Sequence, residues 1–278
     1  MIHNSPNKET VPKELVVYMK KLNKVMAVIA ILFAASSFAA DNTIYVDQAG
    51  DNGVITMTQD GASNRIRGIQ GSGTGNTTPS KIKGDNVTLT VEQIGSGNIL
   101  NLGVVTATAS GGVDTSVIYK VTGNNAVGTI NMNNAETGTA NSNTVNIEQT
   151  GDGAIANLNM LGSNSSFVVD TAGGANNSVV ATLNADQISV ILNQTGGGGN
   201  STTLNLTGAK GTVNLTSNGA TNVTSITQSG GGVNGHNATL NITGSSNSTT
   251  ITQSGTIDTT VNLAIAGSGN TYTIITGN

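Results

Sequence analysis

The sequence predicts an all-β fold: a cross-β-like β-solenoid of stacked strand–turn–strand repeats, with about 22 residues per coil. Three observations predict it. First, seven Gln-x-Gly triplets close runs of alternating apolar and small polar residues: Gln48-Ala49-Gly50, Gln59-Asp60-Gly61, Gln93-Ile94-Gly95, Gln149-Thr150-Gly151, Gln194-Thr195-Gly196, Gln228-Ser229-Gly230 and Gln253-Ser254-Gly255. Their glutamines stand 11, 34, 56, 45, 34 and 25 residues apart, near whole multiples of about eleven, and a fixed short period marks one unit stacked on itself. Second, the runs alternate with period two, the pattern of half-buried strands. Third, each triplet leads into a link of Gly, Asn and Ser, residues that turn a chain tightly.

The elements follow in order. Residues 1–18 precede a second start at Met19 and read as an upstream extension. Residues 19–40 read as a secretory signal peptide. Met19 to Lys24 is basic, Val25 to Ala35 is apolar, and Ser37-Phe38-Ala39 places small residues where a signal peptidase reads them. The apolar run is too short to span a bilayer stably, so the mature chain carries no membrane span. Residues 41–278 read as one repeat domain. Ile44, Val46 and Gln48 share a strand face, as do Val87, Leu89, Val91 and Gln93. The pattern returns at Val145, Ile147 and Gln149, at Ile188 to Gln194, at Thr224 to Gln228 and at Thr249 to Gln253.

A second strand of the form apolar-Asn-apolar follows, as in Leu100-Asn101-Leu102, Leu158-Asn159-Met160, Leu204-Asn205-Leu206 and Val213-Asn214-Leu215. Degenerate copies without glutamine fill the gaps at Ser116–Val121, Phe167–Asp170 and Asn270–Ile275. The stretch Gly68–Asp85, rich in glycine and holding Pro79, reads as an inserted loop. Helical patterning is missing after the signal peptide.

Composition limits the function. Five of the 11 basic and two of the 15 acidic residues precede the expected cleavage site, leaving a mature net charge near −7. That balance excludes a nucleic-acid binder, which needs a basic footprint. The chain has no Trp, 3 Phe, 4 Tyr and 37 Gly, so repetition has to supply what an aromatic core would. Cysteine is absent. His236 is the one histidine of the mature chain, so a transition-metal cluster has no ligand set. The Gly-Gly-x-Gly-x-Asp repeat of calcium β-rolls is missing too. Asp47, Glu92 and Glu148 fall on outward or turn positions, where solvation explains them better than a glycosidase carboxylate pair. The expectation is a non-enzyme without cofactor or metal.

The spacing polar-x5-Gln-x-Gly-x2-Asn resembles the curlin repeat of bacterial curli fibres. Asn42, Asn143, Asn222 and Asn247 stand six residues before Gln48, Gln149, Gln228 and Gln253, where that family writes Ser. Asn64 and Asn98 stand five residues after Gln59 and Gln93. The resemblance covers most of residues 41–278. The chain departs from the family in being about twice as long and in ending most second strands without Gln. The resemblance implies a structural subunit of extracellular amyloid fibres serving adhesion, aggregation and biofilm matrix. It implies export through the periplasm to the cell surface, with periplasmic chaperones, an outer-membrane secretion pore and a nucleator subunit as partners. These glutamines and asparagines would then form self-assembly ladders, the chief partner being the chain itself. The competing readings are a monomeric β-solenoid adhesin or a phage or surface appendage that does not polymerise. An ice-binding solenoid is disfavoured, because pieces such as Thr88-Leu89-Thr90 do not recur on one face in nearly every coil.

Overall fold

The structure, a computed structural model, describes residues 28–29, 43–49, 52–67, 80–84, 86–105, 115–123, 125–133, 142–150, 154–161, 164–174, 176–184, 187–196, 198–208, 210–230, 235–255 and 258–277. Among them every regular element is a strand. The strands pair in parallel in two sheets, one of ten strands and one of twelve. Chain order alternates between the sheets, so each coil gives one strand to each: the β-solenoid that the period-two runs predict.

The first sheet comprises Val28–Ile29, Val54–Asp60, Thr88–Ile94, Ser116–Thr122, Thr144–Thr150, Ser165–Ala172, Gln187–Thr195, Lys210–Asn218, Asn237–Thr243 and Thr260–Ala266. The second runs Ile44–Tyr45, Ile66–Arg67, Ile99–Val105, Val127–Asn133, Ile155–Leu161, Asn176–Asn184, Gly199–Thr207, Thr221–Ser229, Ser246–Ser254 and Thr271–Thr276. Two short strands lie off that path: Ser80–Lys83 pairs with Asp47–Ala49 and with Ile99–Val105. The stretch expected as an inserted loop thus contributes a strand; residues 68–79 and 85 lie outside the described residues. The degenerate copies are strands, as expected. Val28–Ile29, inside the expected signal peptide, lies in register on Val54–Ile55.

Register shows how the period works. One inward column of the first sheet runs Ile55, Leu89, Val117, Val145, Phe167, Val190, Val213, Ala238, Val261. From Val145 onward every step is close to the expected coil; Asp170 and Asn193, neighbours in an outward column of the same sheet, stand 23 residues apart. Before Val145 the steps are longer, and Gln59 and Gln93 stand 34 residues apart. The extra residues of the long coils all fall at one corner, after Ile66–Arg67, Ile99–Val105 and Val127–Asn133. The other corner stays short: four residues separate Ile94 from Ile99, Thr122 from Val127 and Thr150 from Ile155.

This corrects the count in elevens. The gap from Gln59 to Gln93 is one coil lengthened by an insertion, for the two glutamines are direct neighbours in register. The equal gap from Gln194 to Gln228 is one and a half regular coils, so Gln228 falls in the other sheet. Equal gaps in sequence have different structural meanings because the corners differ in their tolerance of extra residues.

The core is the seam between the sheets. Strand Gln187–Thr195 alternates strictly, with Ile188, Val190, Leu192 and Gln194 buried and their neighbours exposed. Leu89, Val91, Val145 and Ile147 from one sheet join Leu100, Leu102, Ile130 and Met160 from the other in one hydrophobic cluster. Each such burial contributes roughly 1.5–3 kcal/mol. A coil alone has nothing to bury against, so stability comes from stacking.

Glycine sets the closeness of the short corner. Gly95 has φ 108° and Gly123 φ 146°. A Cβ on Gly95 would run into the carbonyl of Gly61, and one on Gly123 into that of Gly95. Gly95 N donates to Thr122 O at 2.9 Å and Gly123 N to Thr150 O at 2.9 Å, so backbone stacks directly on backbone at the turn.

Candidate functional site

The buried amides form two systems, and they do different work. The glutamines close the coils. Gln59 Nε2 donates to Arg65 O at 2.8 Å, Gln93 Nε2 to Ile99 O at 3.3 Å, and Gln149 Nε2 to Ile155 O at 2.9 Å. Gln194 Nε2 reaches Ser201 O at 3.3 Å and Gln228 Nε2 reaches Asn237 O at 3.5 Å. In each case the last inward residue of one strand straps the chain that begins the next. The Gln-x-Gly triplet is therefore a corner device: glutamine holds the inside of the turn, and glycine allows the backbone to stack outside it.

Rung-to-rung glutamine bonds are confined to neighbouring pairs. Gln93 Nε2 donates to Gln59 Oε1 at 2.7 Å, and Gln228 Nε2 to Gln253 Oε1 at 3.3 Å. Between Gln93 and Gln149 the register inserts Val121, and between Gln149 and Gln194 it inserts Thr171. Gln149 Oε1 has no hydrogen-bond partner among the described residues, nor has the hydroxyl of its neighbour Thr171. Gln48 is in register with Ile82. An unbroken glutamine ladder is not present among the described residues.

Asparagine supplies the longer ladder. Asn177 Nδ2 donates to Asn200 Oδ1 at 3.1 Å, Asn200 to Asn222 at 3.0 Å, Asn222 to Asn247 at 2.9 Å and Asn247 to Asn270 at 2.9 Å. All four bonds point the same way along the stack. The remaining donor of each amide clamps the adjacent corner. Asn222 reaches Thr243 O at 2.9 Å, Asn247 reaches Gly244 O at 3.0 Å and Asn270 reaches Gly267 O at 2.9 Å. In the same column Asn98 Nδ2 donates to Asn64 Oδ1 at 2.9 Å. Register places Ala126 and Ala154 between Asn98 and Asn177. Asn98 Oδ1 and Asn177 Oδ1, which border this gap, have no partner among the described residues.

The structure therefore sorts the sequence candidates. Asn64, Asn98, Asn222 and Asn247 lie in the column. Asn143 lies in the other sheet, beside Thr115 and Ser165 rather than another asparagine. Asn42 lies outside the described residues. Asn177, Asn200 and Asn270 escape the repeat pattern, because their strands do not close with Gln-x-Gly. Their signal is the residue opening each second-sheet strand, recurring at 23, 22, 25 and 23 residues.

One aromatic side chain repairs a missing glutamine. Tyr119 is fully buried, two residues before Val121. Its Oη donates to Gln93 Oε1 at 2.7 Å, continuing the chain from Gln93 to Gln59. Burial pushes its hydroxyl well above the ordinary tyrosine range. Gly128 stands opposite: a Cβ there would lie 2.7 Å from Tyr119 Cε1.

Among the described residues, charge stays outside. Glu92, Lys120, Glu148 and Asp170 form one outward column of the first sheet. Lys120 Nζ meets Glu148 Oε2 at 2.9 Å, both partly exposed, a pair that contributes at most ~1 kcal/mol. His236 is buried at φ 57°. Among the described residues no three of His, Cys, Asp and Glu gather where a metal would bind. The groove lined by Ser165, Ser166, Ser189 and Lys210 holds no carboxylate or imidazole. Among the described residues no helix is long and apolar enough to cross a membrane.

The last described rung is the more exposed one. Ile251 and Gln253 are 0% exposed, whereas one rung later Tyr272 is 47% and Ile274 45% exposed. Val261, Leu263 and Ile265 of the other sheet are only partly covered. Among the described residues no charge, proline or helix covers either last strand. No protein-family model, no curated protein and no solved structure matches this chain.

Proposed function

We propose that the chain is a structural subunit of curli-like extracellular amyloid fibres that serve cell adhesion, aggregation and biofilm matrix, and that it is not an enzyme. The observation that carries this reading is the last rung. Its backbone edge, apolar side chains and terminal asparagine are those of an interior rung, exposed. Soluble proteins usually blunt such edges with charge, proline, bulges or a covering element. Here the edge is uncharged and in register with everything behind it, as templated strand addition requires.

The amide columns support the same reading. A buried amide left without a partner costs ~1–3 kcal/mol, so an incoming rung that aligns its amides is favoured over one that slips. Export follows from residues 19–40 read as a secretory signal, with release at the cell surface. Periplasmic chaperones, a secretion pore and a nucleator belong to the proposal through the resemblance of the repeat alone.

The test is polymerisation of the purified chain lacking residues 1–40, diluted from denaturant and followed by thioflavin T with and without preformed seed. A lag abolished by seed, with fibres diffracting near ~4.7 Å along their axis, supports the fibre. A soluble folded monomer that never grows replaces it with the monomeric adhesin.

A further inference from the structure

A groove on the outer face of the first sheet lies apart from the amide columns. Its volume is about 410 Å³, within the range of pockets that hold small ligands. Ser166, Ser189 and Thr212 line it as one outward column, in register over three successive rungs. Rungs stand ~4.8 Å apart, so this column runs ~10 Å along the stack. Asn164, Gln187 and Lys210 line the groove beside it, and Gln187 is in register with Lys210.

Lys210 singles the groove out. It is the one basic residue between 121 and 278, against six acidic ones. Lys120 is answered by Glu148 at 2.9 Å. Lys210 has no ion-pair partner among the described residues, no described carboxylate lines the groove, and the side chain is exposed. It stands on the third of the three rungs, so the charge lies at one end of the row.

The chemistry of the row selects a ligand. Ser, Thr, Asn and Gln side chains both donate and accept hydrogen bonds, as sugar hydroxyls do, whereas Lys only donates. A matching molecule carries several hydroxyls and one anionic group. A nucleic acid carries a phosphate on every residue, and one lysine answers only one. An acidic peptide joins a sheet by adding a strand at its edge, whereas this groove crosses strands inside a ten-stranded sheet. A small inorganic anion needs donors that converge on it; these lie in a line.

We propose that the groove binds a uronic acid unit of an acidic polysaccharide. The sugar chain lies along the stack, with the carboxylate on Lys210 Nζ and hydroxyls on Ser166, Ser189 and Thr212. This goes beyond the fibre reading and does not depend on it, because the three rungs present the groove in a monomer and in a polymer alike. In a matrix the site ties the protein to the polysaccharide around it.

Equilibrium dialysis of a labelled oligogalacturonate against the full chain tests this, and reads monomer and polymer alike. The expected result is saturable binding that Lys210→Gln weakens roughly tenfold, the loss of one charge-assisted hydrogen bond. Methyl esterification of the sugar, which keeps its ring hydroxyls and removes its charge, should weaken binding by a similar factor. Ser189→Val, in the middle of the row, should weaken it by roughly fivefold. Lys120→Gln removes the same charge elsewhere and should leave binding unchanged. A wild-type chain that binds no oligogalacturonate overturns the site. Equal losses from Lys210→Gln and Lys120→Gln overturn it in favour of general charge attraction. A methyl ester that binds as tightly as the acid overturns the pairing with Lys210. Free galacturonate bound as tightly as the oligomer overturns the extended chain in favour of a single acid sugar. None of these outcomes alters the thioflavin T test of the fibre.

Discussion

Tyr119 Oη donates to Gln93 Oε1 at 2.7 Å, from a rung whose own glutamine position is occupied by Val121. A tyrosine two residues away thus completes an amide chain that the repeat itself leaves broken. Replacing Tyr119 by Phe keeps the ring and removes the donor. The Gln93 oxygen is then buried with one partner fewer, and the expected loss is ~1–3 kcal/mol of unfolding free energy. Denaturant titration of the two chains measures it.

The same hydroxyl gives a pH dependence whose sign is fixed. Burial raises its folded ionisation well above the ordinary value of 10.0, so above about pH 10 the unfolded chain releases a proton that the folded chain keeps. Stability is unaffected by this group below that pH and falls as pH rises through it. Denaturation midpoints followed from neutral into alkaline pH should show the fall, and the Tyr119→Phe chain should lack that part of it. Equal slopes would mean that Tyr119 ionises without unfolding.

Gly128 and Tyr119 share one space. Gly128→Ala places a methyl 2.7 Å from the tyrosine ring, and overpacking of this kind costs typically ~1–3 kcal/mol. Combining Gly128→Ala with Tyr119→Leu should recover part of that loss, and a double-mutant cycle reads the coupling. Additive effects would show that the two sites do not meet.

The asparagine column predicts changes in both directions. Asn222→Ala removes two ladder bonds and the clamp on Thr243, and should destabilise by ~1–3 kcal/mol; hydrogen exchange should report the loss at neighbouring rungs first. Ala126→Asn combined with Ala154→Asn fills the gap between Asn98 and Asn177, with the Asn64–Asn98 pair turned over so that every amide points one way. The expected gain is ~1 kcal/mol, and neither single filling should deliver it whole. A destabilised double variant would show that the column has no room for amides at those two rungs.

Removing the corner straps should reach polymerisation. Gln93, Gln149 and Gln228 replaced together by Ala should slow seeded growth at least tenfold, since each lost strap costs on the order of 1.4 kcal/mol, a factor of ten in an equilibrium. Export should be unchanged. Thioflavin T kinetics alongside the secreted yield measures both, and unchanged growth would take the straps out of the mechanism.

The strands were legible because burial on one side of a strand writes a period of two into the sequence, as at Gln187–Thr195. The coil length was legible from Val145 onward for the same reason. The assignment of each glutamine to a sheet was not. The gap from Gln59 to Gln93 and the equal one from Gln194 to Gln228 span one coil and one and a half, and length alone carries no mark of the difference. The ladder was half legible. Asn222 and Asn247 precede a Gln-x-Gly and stood out, whereas Asn177 and Asn200 open strands that end in Leu183-Asn184 and Leu206-Thr207, and nothing local distinguishes them from surface asparagines. Ladder membership is a property of neighbouring coils, visible only once register is known.

Because each rung touches only the rung before and the rung after it, a pull on the two chain ends has no interior lock to break. The stack should yield from its ends, one winding at a time. Each regular winding, such as the 23 residues from Asp170 to Asn193, would release roughly 80 Å of extended chain. In the proposed fibre, tension would then draw the chain out in steps of that size before the stack parts, a graded and refoldable extension.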